Sequence, residues 1–391
     1  MVFTGRATYD TDGPTGAFRG LAEDVDDIVS MISPYETPFL DAVGDADHAA
    51  QNTLHEWMEE KLGPSSIINT VVVASVTTAT SALFVDASGN AVARYLQPGM
   101  ILKLNATGEF LQISGVDTSN NVVTFTRAFG GTTATSLGIS QDVLIVGPAA
   151  LEGSAFGVDT SRSRERKQNY LQIFKKDIEV SGTMEAVSQL GGIDGEFNHQ
   201  VRMRLRECLR DLEKSVIQGI SSGNSIGSST AYRSMTGVLK QITTNVVSTG
   251  ATSVTASWLN DRVKQAWDNG ATDTDLIVAD SKWKNLIDGF NDSRIQVIQS
   301  DGVNDFRRKI TTFESTYGVH KVMLSRWMPT NSLMVVSSDR IKIVPLRGRS
   351  FQVIPMSRIG DGSRGSVLGE YTCEVRNQEG CVKAGDGSPV L

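Results

Sequence analysis

The sequence predicts an α+β chain: a mixed framework with one long helix and an inserted small β-barrel or sandwich. Three features predict it. Between Thr70 and Pro148 helical periodicity gives way to short β-rich runs (TVVVASV, ALFVDA, MILKLN, EFLQISGV, NVVTFTRAF, DVLIVG). From Gly195 to Ser221 apolar residues recur at spacings of three and four, the signature of one buried helix stripe. Beyond that stretch, short helical patterns alternate with β-rich runs to the C-terminus.

A chain of 391 residues is long for one core, so two or three domains are expected. Hydrophobic residues make up 40% and charged residues 21%, as in ordinary globular proteins. The net charge of −7 argues against a protein whose task is to wrap nucleic acid electrostatically. The three cysteines, Cys208, Cys373 and Cys381, form no C-x-x-C pair, so free thiols in a reducing compartment are expected. The start, MVFTGRATYDTDGPTG, lacks the apolar core of a signal peptide. No apolar run approaches the roughly 20 residues of a membrane helix. A soluble chain made in a cytoplasm is expected.

Residues 1–22, rich in Gly, Thr and Asp, read as an extended arm. Glu23–Ser33 reads as a short helix whose acidic start suits a helix N-terminus. Pro34 and Pro38 hold SPYETPFL extended, and His55–Lys61 reads as a short helix or strand. Within 70–148, Gly, Asn and Asp punctuate the runs at short spacing, as in antiparallel barrels and sandwiches. The basic residues there are Arg94, Lys103 and Arg127 alone, which marks the stretch off from its flanks. Residues 160–177 begin basic and then alternate, with Tyr170, Gln172, Phe174 and Lys176 on one side and Leu171, Ile173 and Lys175 on the other. This predicts one arm of a long hairpin. Its other arm is Glu59–Asn69, and the β-module sits at its tip.

Gly191-Gly192 closes a short helix starting near Thr183, and Asp194 is placed to cap the long one. The stripe of the long helix is Phe197, Val201, Leu205, Cys208, Leu209, Leu212, Val216 and Ile220. Such a helix of about 26 residues spans roughly 39 Å. Gly219, Gly223 and Gly227 end it. A helix over Ser257–Asn269 with Gly270 at its C-cap follows. Next come a buried strand at Asp275–Ala279, a helix over Ser281–Asp288, and strands at Thr311–Glu314 and His320–Leu324. The runs LMVVS, RIKIVPL, FQVIPM, SVLGEYTCEV and GCVKAG complete the chain.

Gly219-Ile220-Ser221-Ser222-Gly223 matches G-x-S-x-G, but a nucleophile elbow follows a strand and opens a helix, and here a helix precedes it. A glycine-rich helix exit is expected, with a serine hydrolase using Ser221 as the alternative from another class. His48, His55, His199 and His320 show no H-E-x-x-H and no zinc-type spacing, so surface or packing roles are expected. Gly360 and Gly365 lack the lysine of a phosphate-binding loop. No catalytic residue, metal ligand or cofactor is expected. The basic run Arg162, Arg164, Arg166 and Lys167 reads as a solvated strand face or, in the sharper reading, as the candidate intersubunit contact. Its counterpart would be Asp24, Asp26 and Asp27, with Glu23, on a neighbouring copy. A two-stranded hairpin is marginal alone and gains by lying on another subunit.

This order of elements resembles a known family. Ser33-Pro34-Tyr35-Glu36-Thr37-Pro38-Phe39-Leu40 is similar to the "ETP" turn near the start of many phage capsid subunits. Asn169–Phe174 followed by Val180-Ser181-Gly182-Thr183 resembles the hairpin return of one branch. Arg210-Asp211-Leu212-Glu213, Phe313 to Gly318 with Val322, and Gly369–Val375 resemble the same branch. Arg127–Thr133 (RAFGGTT) and Pro98–Leu102 resemble the β-module some of its members carry in the hairpin. The chain thus resembles a tailed-bacteriophage (Caudovirales) major capsid protein with the Johnson fold, which encapsulins and the herpesvirus capsid floor share.

The resemblance implies an N-terminal arm (1–58), an extended hairpin loop (59–69 and 149–180) and an inserted β-barrel-like domain (70–148). It further implies a peripheral domain with a spine helix (181–225 and 335–391) and an axial domain (226–334). It implies a structural head protein that self-assembles as pentamers and hexamers into an icosahedral shell. Packaged DNA would lie on the inner face, and portal, scaffold or decoration proteins would be partners, with no membrane. The protein would be made in the host bacterial cytoplasm and end in the virion capsid. An encapsulin-type compartment shell is the alternative within the class. A tail-tube or decoration protein fits less well, because tube proteins are mostly β.

Overall fold

The computed structural model describes residues 36–70, 79–86, 89–153, 161, 164–187, 195–221, 227–248, 254–291, 297–300, 303–306, 311–358 and 360–385. The expected arm at 1–22, the helix over Glu23–Ser33 and the run TVVVASV after Thr70 lie outside them. The chain divides into two compact units, one of Glu56–Gln168 with Arg376–Gln378, the other of the remaining chain.

The chain enters through Pro38–Val43 (α1) and Leu54–Glu59 (β1). The barrel strands follow: Ser66–Asn69 (β2), Ser81–Val85 (β3), Met100–Leu104 (β4), Phe110–Asp117 (β5), Val122–Thr126 (β6) and Asp142–Pro148 (β7). They close in the order β2-β3-β6-β5-β4-β7, and every pairing is antiparallel. Alternate residues point inward because strand side chains alternate faces. Ile67, Phe84, Leu102, Leu104, Leu111, Val123 and Val143 are fully buried at its centre. Closure leaves no strand edge open.

The barrel starts earlier than composition suggests. Ser66–Asn69, expected in the hairpin, is β2, because Ile67 fills the barrel core and β2 joins β3 to β7. Four residues are too few to register as a change in composition. The strand that pairs with the return Glu165–Tyr170 (β8) is therefore Leu54–Glu59, not Glu59–Asn69.

The other unit holds Gln172–Ser181 (β9), Gly182–Ala186 (α2), Glu196–Gln218 (α3), Val238–Gln241 (α4), Val246–Ser248 (β10) and Ala256–Asp268 (α5). Leu276–Ala279 (β11), Ser281–Asp288 (α6), Val297–Ser300 (β12), Val303–Phe306 (β13), Thr312–Ser315 (β14) and Gly318–Leu324 (β15) follow. The last strands are Ser332–Val336 (β16), Ile341–Pro345 (β17), Gln352–Met356 (β18), Gly362–Val375 (β19) and Val382–Gly385 (β20). The sheet β10-β20-β16-β11-β15-β14 is mixed, with β11 parallel to β15 and β10 parallel to β20. Apolar side chains of β11 and β16 lie in cores on both faces of this sheet, which is why LIVA and SLMVV are continuously buried.

Strand β19 organises a second sheet. It pairs with β9 from Gly362↔Ser181 to Tyr371↔Gln172, and with β17 and β18. Residues 172–177, expected as a hairpin arm, thus belong to this sheet. Alternation reveals a half-buried strand but not its partner. The buried positions also change parity here, from Asn169 and Leu171 to Phe174, Ile178 and Val180. The chain end is likewise displaced from the expected division, since β20 joins the sheet built mostly from 246–336.

Helix α3 runs 23 residues and buries Cys208, Leu212, Glu213, Val216 and Ile217. Phe197, Val201 and Leu205 are half-buried against Ile178, Val180 and Val367. Burying a side chain such as Leu212 contributes about 1.5–3 kcal/mol. The N-cap is Gly195 rather than Asp194, which lies outside the described residues, as do Gly191 and Gly192. The helix stops at Gln218, so Ile220, assigned to the stripe, is 51% exposed beyond it. Space dictates the stop. A Cβ on Gly219 would lie 2.3 Å from the Ser215 carbonyl oxygen and 2.7 Å from that of Met235. The Gly237 N–H meanwhile donates to the Gly219 carbonyl at 2.8 Å.

Candidate functional site

The basic run comes first. Arg164 Nε lies 3.4 Å from Glu60, Arg166 lies 3.5 Å from Glu56, and Lys167 lies 3.0 Å from Glu165. All six side chains are well exposed, so these ion pairs contribute little to stability. Arg162, Asp24, Asp26 and Asp27 lie outside the described residues. The structure thus matches the hairpin's cations with acids of the same hairpin.

The described part of SPYETPFL, residues 36–40, departs from the expected extended course. Pro38 opens α1 at its first position, where proline's missing N–H costs nothing. The Thr37 side chain makes no cap hydrogen bond. The cap comes from Glu213 on α3, whose Oε1 accepts from Phe39 N at 3.4 Å and Oε2 from Leu40 N at 3.5 Å. Burial pushes the Glu213 carboxyl up to about 7; the two N–H donors pull it down and the charge of Asp41 pushes it up. In sequence Glu213 stands only as the last residue of the capsid-like string Arg210-Asp211-Leu212-Glu213. Its burial has no signal in the stripe, because its partner is backbone.

A second constellation joins distant residues. Two parallel bridges, Asp45↔Ile343 and Ala50↔Leu346, lay residues 45–50 beside β17. This brings His48, and His55 on β1, to Glu374 on β19. His55 Nε2 is 3.1 Å and His48 Nε2 3.5 Å from the same Glu374 oxygen, Oε2. The Glu374 side chain is fully buried, His55 nearly so and His48 45% exposed. Their ligand atoms all lie within 4.8 Å of one another, so this group could hold a metal ion. Sequence spacing missed it because the carboxylate comes from the far end of the chain.

The remaining histidine and serine expectations resolve into packing. His320 is fully buried. Its Nδ1 faces the Thr274 carbonyl at 2.8 Å and so carries the proton, and its Nε2 accepts from Ser315 Oγ at 2.8 Å. Burial lowers its pKa against the opposing pull of the Thr274 carbonyl and Asp275. Ser315 Oγ also accepts the Tyr317 N–H at 3.1 Å, which ties it into the β14–β15 turn. The Ser221 hydroxyl is buried and has no hydrogen-bond partner among the described residues. It therefore meets no histidine there, and a nucleophile needs an adjacent base. Ser222 and Gly223 lie outside the described residues.

In the barrel, the RAFGGTT loop closes over a buried ion pair. Arg127 Nε and a terminal nitrogen meet the two Glu109 oxygens at 2.7 Å each. The N–H groups of Ala128 (3.1 Å) and Thr135 (2.8 Å) donate to the same carboxylate. Burial alone would raise the Glu109 carboxyl, but Arg127 and these donors outweigh it and hold it at about 2.

Among the described residues no helix is long and apolar enough to cross a membrane. Comparison with curated proteins returns no match. Among solved structures the chain is similar to the capsid of Myoviridae phage XM1, at 11% identity over 93% of this chain and 96% of that one, with a TM-score of 0.47. A Microbacterium phage Oxtober96 chain gives 11% identity, 94% and 95% coverage and a TM-score of 0.47. The SrpI encapsulin of Synechococcus elongatus gives 11% identity over 56% of this chain and 75% of that one, with a TM-score of 0.40. The model of the SU10 major capsid protein family matches residues 4–386. The chain belongs to the SU10 major capsid protein family and is a structural protein of the phage head shell.

Proposed function

We propose that this chain assembles as pentamers and hexamers into an icosahedral shell around phage DNA, with α3 as the spine of a peripheral domain. In this reading residues 226–334 supply most of an axial domain, β1 and β8 form the extended hairpin, and the barrel is a module carried on it. The observation that carries the reading is the hairpin. It is two-stranded, and Met58 on β1 and Leu62 just after it are 61% and 92% exposed. A two-stranded sheet is marginal alone, and exposed apolar side chains of this kind mark surfaces that a neighbour covers. Arg164 and Arg166 flank that surface and exchange their exposed partners for acidic residues of the next copy, with Asp24, Asp26 and Asp27 as the candidates. Portal, scaffold or decoration proteins complete the particle.

Electron microscopy of the concentrated, purified protein tests the assembly: closed shells are expected, whereas tubes or unassembled subunits would overturn it. Charge reversal at Arg164 and Arg166 should reduce assembly and make it more salt-sensitive. The barrel sits on the outer surface in this reading. A variant lacking residues 72–147 should form shells without that outer density, and unchanged surface density would sink the placement.

A further inference from the structure

We propose that His48, His55 and Glu374 bind a divalent transition-metal ion of the zinc class, which staples residues 45–55 to the sheet of β17 and β19. Three observations converge. The donor set is two imidazoles and one carboxylate, which suits zinc and its neighbours, whereas calcium and magnesium prefer all-oxygen sites. The spacing fits a coordination sphere. Bonds of about 2.0–2.1 Å in a tetrahedron put ligand atoms about 3.3 Å apart, and the two Nε2–Oε2 separations, 3.1 and 3.5 Å, fall on either side of that value. Charge-assisted N–H···O⁻ bonds are shorter, about 2.7–2.9 Å. Both imidazoles also bring Nε2 close to one carboxylate oxygen, with ring centroids 5.8 Å apart and planes inclined by 33°.

The surroundings suit an ion. Glu374 is fully buried, and a low-dielectric setting strengthens a carboxylate's hold on a cation. The 45% exposure of His48 leaves a route from solvent. Cys373 is not a competitor, because its side chain points to the opposite face of β19 and packs in the core there. Each ligand lies on a different segment, so the ion fixes the chain just after α1 against a strand more than 300 positions later. Metal affinity of this kind adds directly to the stability of the folded unit.

The rival arrangement is a plain hydrogen-bonded trio, and His48→Gln separates the two: glutamine keeps an N–H donor for Glu374 but removes the imidazole ligand. Full-length protein freed of metal with a chelator is titrated with zinc chloride alone, and bound metal is counted by elemental analysis. About one equivalent per chain is expected, with a thermal midpoint that rises with zinc and falls with chelator. His48→Gln should weaken binding by about 100-fold or more, since even second-shell changes cost 10–100-fold. Cobalt(II) should give a ligand-field absorption band that His48→Gln abolishes. Glu374→Gln should behave likewise; if it does not fold, His48→Gln at the exposed position carries the test. Wild-type protein that binds no more zinc than His48→Gln, or whose midpoint ignores both zinc and chelator, overturns the proposal.

Discussion

Glu213 on α3 accepts the backbone N–H of Phe39 at 3.4 Å across 174 positions of sequence, and so caps a helix that its own N-cap residue leaves uncapped. The carboxyl is lifted to about 7, chiefly by burial, from an ordinary 4.5. A carboxyl whose folded pKa is raised binds its proton more tightly folded than unfolded. The stability it contributes is full below about pH 4.5 and is lost as pH rises to about 7. At 1.36 kcal/mol per unit this is about 3 kcal/mol. Glu213→Gln should therefore be most stabilising, relative to wild type, at pH 8 and lose that advantage near pH 5. Thermal midpoints of both proteins across that range check it; a difference independent of pH would refute the titration.

The G-x-S-x-G match makes opposite demands under its two readings. If Gly219 serves packing, Gly219→Ala should cost several kcal/mol, because the new Cβ meets backbone oxygens at 2.3 and 2.7 Å that cannot yield. Ser221→Ala should leave stability within about 1 kcal/mol of wild type or raise it, since the buried hydroxyl it removes has no partner among the described residues. Melting curves and particle yield of both variants decide between the readings. Normal Gly219→Ala particles, or loss of a measured hydrolytic activity in Ser221→Ala, would favour the catalytic one.

What could be read from sequence follows the range of the forces involved. Strand alternation and helix periodicity are local, and α5 and α6 fall within one or two residues of expectation, although the N-caps at Thr255 and Asp280, whose side chains accept from Trp258 N and Trp283 N, emerge only from the structure. Partners are not local. Nothing within Gln172–Ser181 says that β19 will pair with it, and nothing near His48 announces Glu374. Ile67 looked like hairpin because one strand of four residues cannot shift composition, yet it is buried in the barrel. The capsid-like motifs were legible as an order of short strings; the physical work of ETP became visible only when Glu213 was seen to cap the helix it begins.

The barrel has its own electrostatic lock. Glu109 is 1% exposed and held at about 2, so its contribution to stability is complete above about pH 4.5 and is lost as pH falls toward 2. Glu109→Gln leaves the Arg127 charge buried without its counter-ion and should cost about 3–5 kcal/mol. Replacing both partners with apolar residues of similar size should recover much of that loss. Denaturation followed by a probe confined to residues 66–148 measures both variants; equal losses in the single and double variants would show that the loop backbone, not the ion pair, holds the barrel closed.

The thiols report on one unit only. Cys208, Cys373 and Cys381 are fully buried, and burial pushes them to about 11, 12 and 11. The thiolate is the reactive form, so both access and ionisation protect them. A soluble disulfide reagent at pH 8 should modify none of the three in the folded chain and all three after denaturation. All lie outside 56–168 and 376–378, the bounds of the barrel unit. A change that opens the barrel alone at pH 8, such as Glu109→Gln, should therefore leave them unreactive, whereas opening of the other unit should expose the three together, because α3, β19 and the approach to β20 share one core through Cys208's neighbour Leu212, Cys373 and Cys381. Early, selective labelling of Cys381 would instead mean that β20 detaches first and that the sheet it completes opens independently of α3.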